Sequence, residues 1–274
     1  MARPIITLTT DYGTSDHLVG AMKGVILSIN PEVEIVDITH EVLAHDILDG
    51  AMVIGEAYKF FPPKTIHVVV VDPGVGSARR PIVASSDGFH FVAPDNGVLS
   101  LVYAREPRVH VRHITSEHYF RLPVSNTFHG RDIFAPVAAY LAKQVDTIKF
   151  GEEIEDYVRF NAPKPKMLEP NKLRGVVLKV DRFGNLVTNI TPEDAPALFQ
   201  DDSTCKITVG TREISGLHSN YAEGAPGELF GILGSMGFLE IAANRAAAAQ
   251  IAGVGKGTEV IVMMGGAAAA GTGA

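Results

Sequence analysis

A single cysteine among 274 residues, Cys205, excludes an intrachain disulfide and any four-cysteine zinc site. Long apolar runs are also missing. The most apolar stretch of the N-terminal half, Val68 to Val71, falls far short of the ~20 residues of a membrane span. Basic residues are in deficit, with 24 Lys and Arg against 31 Asp and Glu and a formal net charge of −7. That balance argues against a general nucleic-acid binder, which would need a basic stripe, and more weakly against an anionic membrane surface as partner. No apolar secretory segment follows Met1, so a cytoplasmic location is expected. The Gly-Lys-Ser/Thr ending of a P-loop, the Gly-x-Ser-x-Gly elbow and any metal spacing among the ten histidines are absent too. These gaps argue against nucleotide triphosphatases, serine α/β-hydrolases and metal-dependent chemistry.

What remains is 46% hydrophobic and 20% charged, a composition that folds. A chain of 29.3 kDa can bury about three quarters of its unfolded surface, so no staple is needed. The first 150 residues alternate between strand and helix periods. Strands are expected at Ile5–Thr9, Val33–Ile38, Thr65–Val71, Ile82–Ser85 and Phe89–Val92. Helical spacing runs through Leu18, Met22, Val25 and Ile29, and again from Asp46, which can cap, to Tyr58. Further helices are expected at Gly97–Ala104 and Arg131–Lys143. This alternation predicts an α/β fold with a mostly parallel sheet in residues 1–150. Clustered acids and prolines mark 151–172 as a linker. Residues 173–264 carry short strand-like runs parted by Gly and Asn turns, predicting a smaller β-barrel domain with one Ala-rich helix near Asn244–Gln250. Residues 265–274 contain only Gly, Ala and Thr and read as a flexible tail.

Three polar segments fall where an α/β sheet binds ligands, beyond the carboxyl ends of strands. Thr10-Asp11-Tyr12-Gly13 follows the first strand, and Asp11 could accept both hydroxyls of a ribose. Asp16 sits at the next helix start, where it could equally be an N-cap. Val71-Asp72-Pro73-Gly74-Val75-Gly76-Ser77-Ala78-Arg79 follows the most apolar strand. Asp72 and Arg79 can fold back and pair around its glycines, as a surface ion pair or as a site. Asn126-Thr127-Phe128-His129-Gly130-Arg131-Asp132 places a histidine just before a helix, with Asp132 as a possible cap. Cys205 reads as a buried structural thiol.

Taken together with Ala93-Pro94-Asp95-Asn96-Gly97, these segments in this order resemble the S-adenosyl-L-methionine hydroxide adenosyltransferases. These adenosine-forming hydrolases are related to fluorinating and chlorinating enzymes. The resemblance runs from about Ile5 to Met264. It implies an N-terminal α/β domain, a C-terminal β-barrel, and a homotrimer with active sites between subunits. It also implies that Asp72, Arg79 and His129 position the nucleophile and that Asp11 binds the ribose. Asp16, Asp181 and Ser235 would bind the methionine part, and Asn185 and Tyr221 the adenine. The expected substrate is S-adenosylmethionine, and no metal or organic cofactor is required. In the fluorinating relatives an aromatic stands at the position of Asp72 and a long insertion follows the Arg79 region; this chain has neither. Their Arg after the residue matching Ser235 is Met236 here, and their aromatic near the sulfur is His45. A halide-using adenosyltransferase, a non-catalytic nucleoside sensor and a metal-dependent phosphoesterase on Asp11, Asp72 and His129 are the competing expectations.

Overall fold

The computed structural model describes residues 3–200 and 205–264, so the expected tail at 265–274 lies outside the described residues. The chain divides between Asn161 and Ala162 into two compact units.

In the first unit, β1 (Ile5–Thr10), α1 (Leu18–Ile29), β2 (Glu34–Thr39), α2 (Ile47–Ala57) and β3 (Ile66–Val70) alternate as the sequence pattern requires. β4 (Pro81–Ser85), β5 (His90–Pro94), α3 (Ser100–Arg105), β6 (His110–His113), α4 (Ala135–Ala142) and β7 (Glu153–Ile154) follow. The sheet order is β2-β1-β3-β5-β4-β6-β7. The β2, β1, β3 and β5 strands are parallel, and β4, β6 and β7 extend the sheet antiparallel. Helices cover both faces. Ile66, Val68 and Val70 pack toward α1 and α4, while Val69 and Val71 pack toward α2 and α3. A strand buried on both faces must be apolar throughout, which is why 65–71 shows no polar alternation.

Helix starts in this unit depart from expectation in three places. Helix α1 begins at Leu18 with His17 at the N-cap position and no side-chain cap, so Asp16 caps nothing and is exposed. Helix α3 begins at Ser100 rather than Gly97. The helix expected from Arg131 opens with a π-turn over Gly130–Phe134 before α4. Asp46 does cap α2, accepting from the Asp49 N–H at 3.0 Å.

One core residue limits acid stability. His67 is 0% exposed, ringed by Tyr58, Phe61, Phe89 and Phe91, and its Nδ1 bonds the Thr7 hydroxyl at 2.7 Å. Burial pushes its pKa down to about 3 from 6.5. The unfolded chain therefore binds a proton that the native ring refuses, and stability falls as pH drops from 6.5 toward 3. The slope from this group is up to about 1.4 kcal/mol per pH unit. His67→Gln should flatten that part of a denaturant-measured stability profile; an unchanged slope would show that His67 does not set it.

The second unit contains β8 (Lys166–Glu169), β9 (Lys172–Val180), β10 (Leu186–Thr188), β11 (Cys205–Val209), β12 (Arg212–Ser215), β13 (Leu217–His218), β14 (Leu229–Leu233), β15 (Leu239–Ala243), α5 (Ala248–Ala252) and β16 (Glu259–Met264). The strands run in the order β12-β11-β16-β9-β10-β15-β14-β13, with β8 on β9, and almost every pairing is antiparallel. The sheet curls into a nearly closed barrel in which β12 approaches β14. Leu173, Leu186, Ile207, Leu239, Ile241 and Val262 fill its interior. Segment 151–172 is more than connector, since it supplies β7 to the first sheet and β8 to the second. The Ala-rich helix begins at Ala248, later than expected. Among the described residues no helix is long and apolar enough to cross a membrane.

Candidate active site

Helices α1 and α2 pack on opposite faces of the first sheet, while β1 and β3 are parallel neighbours with Thr10 beside Val70. That reversal opens a crevice beyond their carboxyl ends. Asp11 leaves β1 at this edge, and Asp72 lies just beyond β3.

Asp72 and Arg79 meet around the Gly74–Gly76 turn. Arg79 Nε donates to Asp72 Oδ1 at 3.0 Å, and Nη2 donates to Oδ2. Their side chains are only 4% and 7% exposed, so this is a buried pair rather than a surface one. The same Nη2 lies 3.0 Å from His129 Nδ1. The three candidate residues from two distant loops thus share one cluster. A guanidinium can only donate, so His129 Nδ1 must accept. Burial and the Arg79 charge hold the His129 pKa below its usual value, so the ring is neutral and carries its proton on Nε2. Burial raises the Asp72 carboxyl above the usual range, while Arg79 pulls against that rise. Arg79 Nη1 is buried and has no partner among the described residues. An unpaired buried donor is costly unless something fills its place, and a single oxygen there would satisfy it.

The loops are held against each other by backbone contact. Gly76 has φ +75°, and a Cβ there would run into the Asn126 carbonyl, three residues before His129. Only glycine fits both the conformation and the approach. Gly76→Ala should separate Arg79 from His129 and cut turnover about 10²-fold, the scale for a misplaced catalytic group. Wild-type turnover in that variant would show that the close approach is dispensable.

Other walls were not singled out by motif spacing. Tyr12 packs edge-on to Phe128 with centroids 5.9 Å apart, and a Cβ on Gly130 would press its hydroxyl. Burial, reinforced by Asp11 and Asp72, raises the Tyr12 phenol far out of the physiological range, so it stays a neutral donor. Phe134 lies under the Arg79 guanidinium at 5.4 Å. Behind β1, the Thr10 hydroxyl bonds His40 Nδ1 at 2.8 Å, and His40 Nε2 meets Asp37 at 3.1 Å. Tyr12 was legible as part of Thr-Asp-Tyr-Gly, but the His40 and Phe134 contacts carry no local signal.

Asp11 accepts from the backbone N–H of His45 at 2.9 Å, while the His45 residue is exposed at φ 65°. Asp132 is fully buried and is not a cap. Burial alone would raise its carboxyl, but Arg131 and the Ser125 N–H hold it below the usual range. Cys205 lies in β11, and burial raises its thiol.

The other expected contacts lie in the second unit. Asp181 closes the turn to Asn185, accepting from the Phe183 N–H, the Asn185 N–H and Asn185 Nδ2 at 2.8, 2.8 and 2.9 Å. Tyr221 is 46% exposed, and Ser235 lies exposed in the turn after β14. No group of three or more His, Cys, Asp or Glu among the described residues is arranged to hold a metal ion.

Two family profiles match the chain. The SAM hydroxide adenosyltransferase N-terminal domain matches residues 6–151, and the C-terminal domain of the same family matches residues 175–261. The chain is 38% identical over 208 residues to the (R)-S-adenosyl-L-methionine hydrolase of Methanocaldococcus jannaschii, covering 74% of this chain and 73% of that protein. It is 36% identical over 268 residues to the protein of the same name from Salinispora tropica, covering 96% and 98%. A fluorinase from Nocardia brasiliensis is 29% identical over 293 residues, covering 96% and 98%. The crystal structure of a conserved protein from Thermotoga maritima superposes with a TM-score of 0.87 at 38% identity, covering 94% of this chain and 99% of that one. On these matches, which take in both units, the chain belongs to the SAM hydroxide adenosyltransferase family.

Proposed function

We propose that this protein hydrolyses S-adenosyl-L-methionine to adenosine and L-methionine by direct attack of water-derived hydroxide on ribose C5′. The observation that carries the reading is Arg79 Nη1, a buried unpartnered donor beside Asp72 and His129. In the reaction a C5′–O bond forms and the C5′–S bond breaks. The bonding pair passes to sulfur, so the sulfonium leaves as a neutral thioether and needs no acid. The nucleophile is the difficulty, because bulk water is far too weak an acid to supply hydroxide at neutral pH. Arg79 Nη1 and His129 Nε2–H supply two donors for a hydroxide-like oxygen. Asp72, made more basic by burial, takes the proton that water loses. A dry site strengthens the attraction between nucleophile and sulfonium.

Asp11 holds the ribose hydroxyls in this scheme. Asp16, Asp181 and Ser235 serve the methionine part, and Asn185 and Tyr221 the adenine. A second copy of the chain within a homotrimer completes the pocket. The relatives' names specify the (R) sulfonium, and the same epimer is the substrate proposed here. Incubation with each resolved epimer tests this: adenosine and methionine should appear in equal amounts from the (R) form. A second reading, halide-using adenosyl transfer, draws on the similarity to fluorinases. It would show as halogenated nucleoside whose yield depends on added halide. Intact ligand retained over long incubation would mark a sensor instead.

A further inference from the structure

The second unit holds a carboxylate that no motif singled out. Glu240 in β15 is 5% exposed. Its side chain folds over Gly234 so closely that a Cβ there would collide with Oε1. Gly234 opens the turn that carries Ser235 and Met236, closed by the Gly234 N–H bonding the Phe238 carbonyl at 2.9 Å. The other oxygen, Oε2, receives one long contact from the Tyr221 hydroxyl at 3.4 Å. No other donor to this carboxylate is found among the described residues. Its charged neighbour is Asp181, of like sign, and together with burial it pushes the Glu240 carboxyl up. Asp181 itself accepts three hydrogen bonds from its own turn. Glu240 is therefore a buried acid with no cation beside it, an arrangement that is costly until a positive group arrives.

We propose that Glu240 is the counter-charge of a cationic subsite on the Gly234–Gly237 turn and takes the α-ammonium of the methionyl group. This rests on S-adenosylmethionine being the substrate. Tyr221 steadies Oε2, and Oε1 above Gly234 receives the ligand N–H. An ammonium fits because it brings both charge and donors. The sulfonium has no N–H, and the adenine amine is neutral.

The test uses the full chain and two substrates. One is S-adenosylmethionine. The other is 5′-deoxy-5′-dimethylsulfonioadenosine, which keeps the sulfonium and lacks the amino acid. Glu240→Gln should raise KM for the first about 10- to 100-fold, the range for a hydrogen bond to a charged group. The kcat should change less than about threefold on the same reasoning, and KM for the second substrate should not move. Glu240→Asp should recover part of the loss, and thermal melting checks the fold of both variants. An unchanged KM for S-adenosylmethionine, or equal losses on both substrates, would overturn the assignment. Failure of the wild-type chain to turn over either compound would sink the proposed reaction instead. In that event equilibrium dialysis of intact S-adenosylmethionine reads the subsite, which stands only if Glu240→Gln weakens binding by the same factor.

Discussion

Replacing Arg79 with methionine is expected to lower turnover of S-adenosylmethionine by about 10²- to 10³-fold, the scale for losing one fixed donor to a reacting oxygen. Two effects separate here. The guanidinium is the group with a free buried donor, so the nucleophile loses its electrostatic anchor. The same change strands Asp72, whose side chain is 4% exposed, as an unpaired buried charge, a destabilisation of about 3–5 kcal/mol. Adding Asp72→Asn to Arg79→Met should restore much of the stability and none of the activity. Denaturant melts beside product formation at saturating substrate measure both. Turnover within tenfold of wild type in the single variant would remove Arg79 from the chemistry.

The second large effect concerns pH. Burial raises the Asp72 carboxyl above its ordinary 3.8, and burial with Arg79 lowers the His129 imidazolium below its ordinary 6.5. The active forms are ionised Asp72 and neutral His129, and a proton taken up by either one removes it. Activity should therefore fall on acidification, with its midpoint above the 3.8 of an ordinary aspartate. Asp72→Asn keeps the shape of the side chain and loses its charge and basicity. Its turnover should fall about 10²- to 10⁴-fold, the usual range for a general base, and the carboxylate part of the acid limb should vanish. A profile of kcat/KM against pH for both proteins decides this; an unaltered acid limb in Asp72→Asn would assign it to another group.

Much of the architecture was legible because burial leaves a mark on composition. The apolar run at 65–71 could only be a strand covered on both faces, and α1, α2 and β1–β3 follow from periodicity and turn residues. Helix starts were less so. Asp16 looks like a cap but accepts from no helix N–H, while Asp132 looks like a cap and is instead locked under Arg131 and Ser125. Short-range chemistry cannot distinguish a capping acid from one recruited by a distant partner. The pairing of Asp72 with Arg79 was readable from a glycine loop of the right length. That His129 joins them was not, since 50 residues separate it from Arg79; the resemblance supplied it. Glu240 escaped because alternation in β15 marks it only as one face of a strand, and its isolation depends on Gly234, Tyr221 and Asp181 converging on it.

Heavy-oxygen water gives the most direct test of the central claim. If a hydroxide held by Arg79 displaces methionine at C5′, adenosine formed in labelled water carries one heavy oxygen in its 5′-hydroxyl, and methionine carries none. Unlabelled adenosine, or label found in any other product, would contradict attack at that carbon.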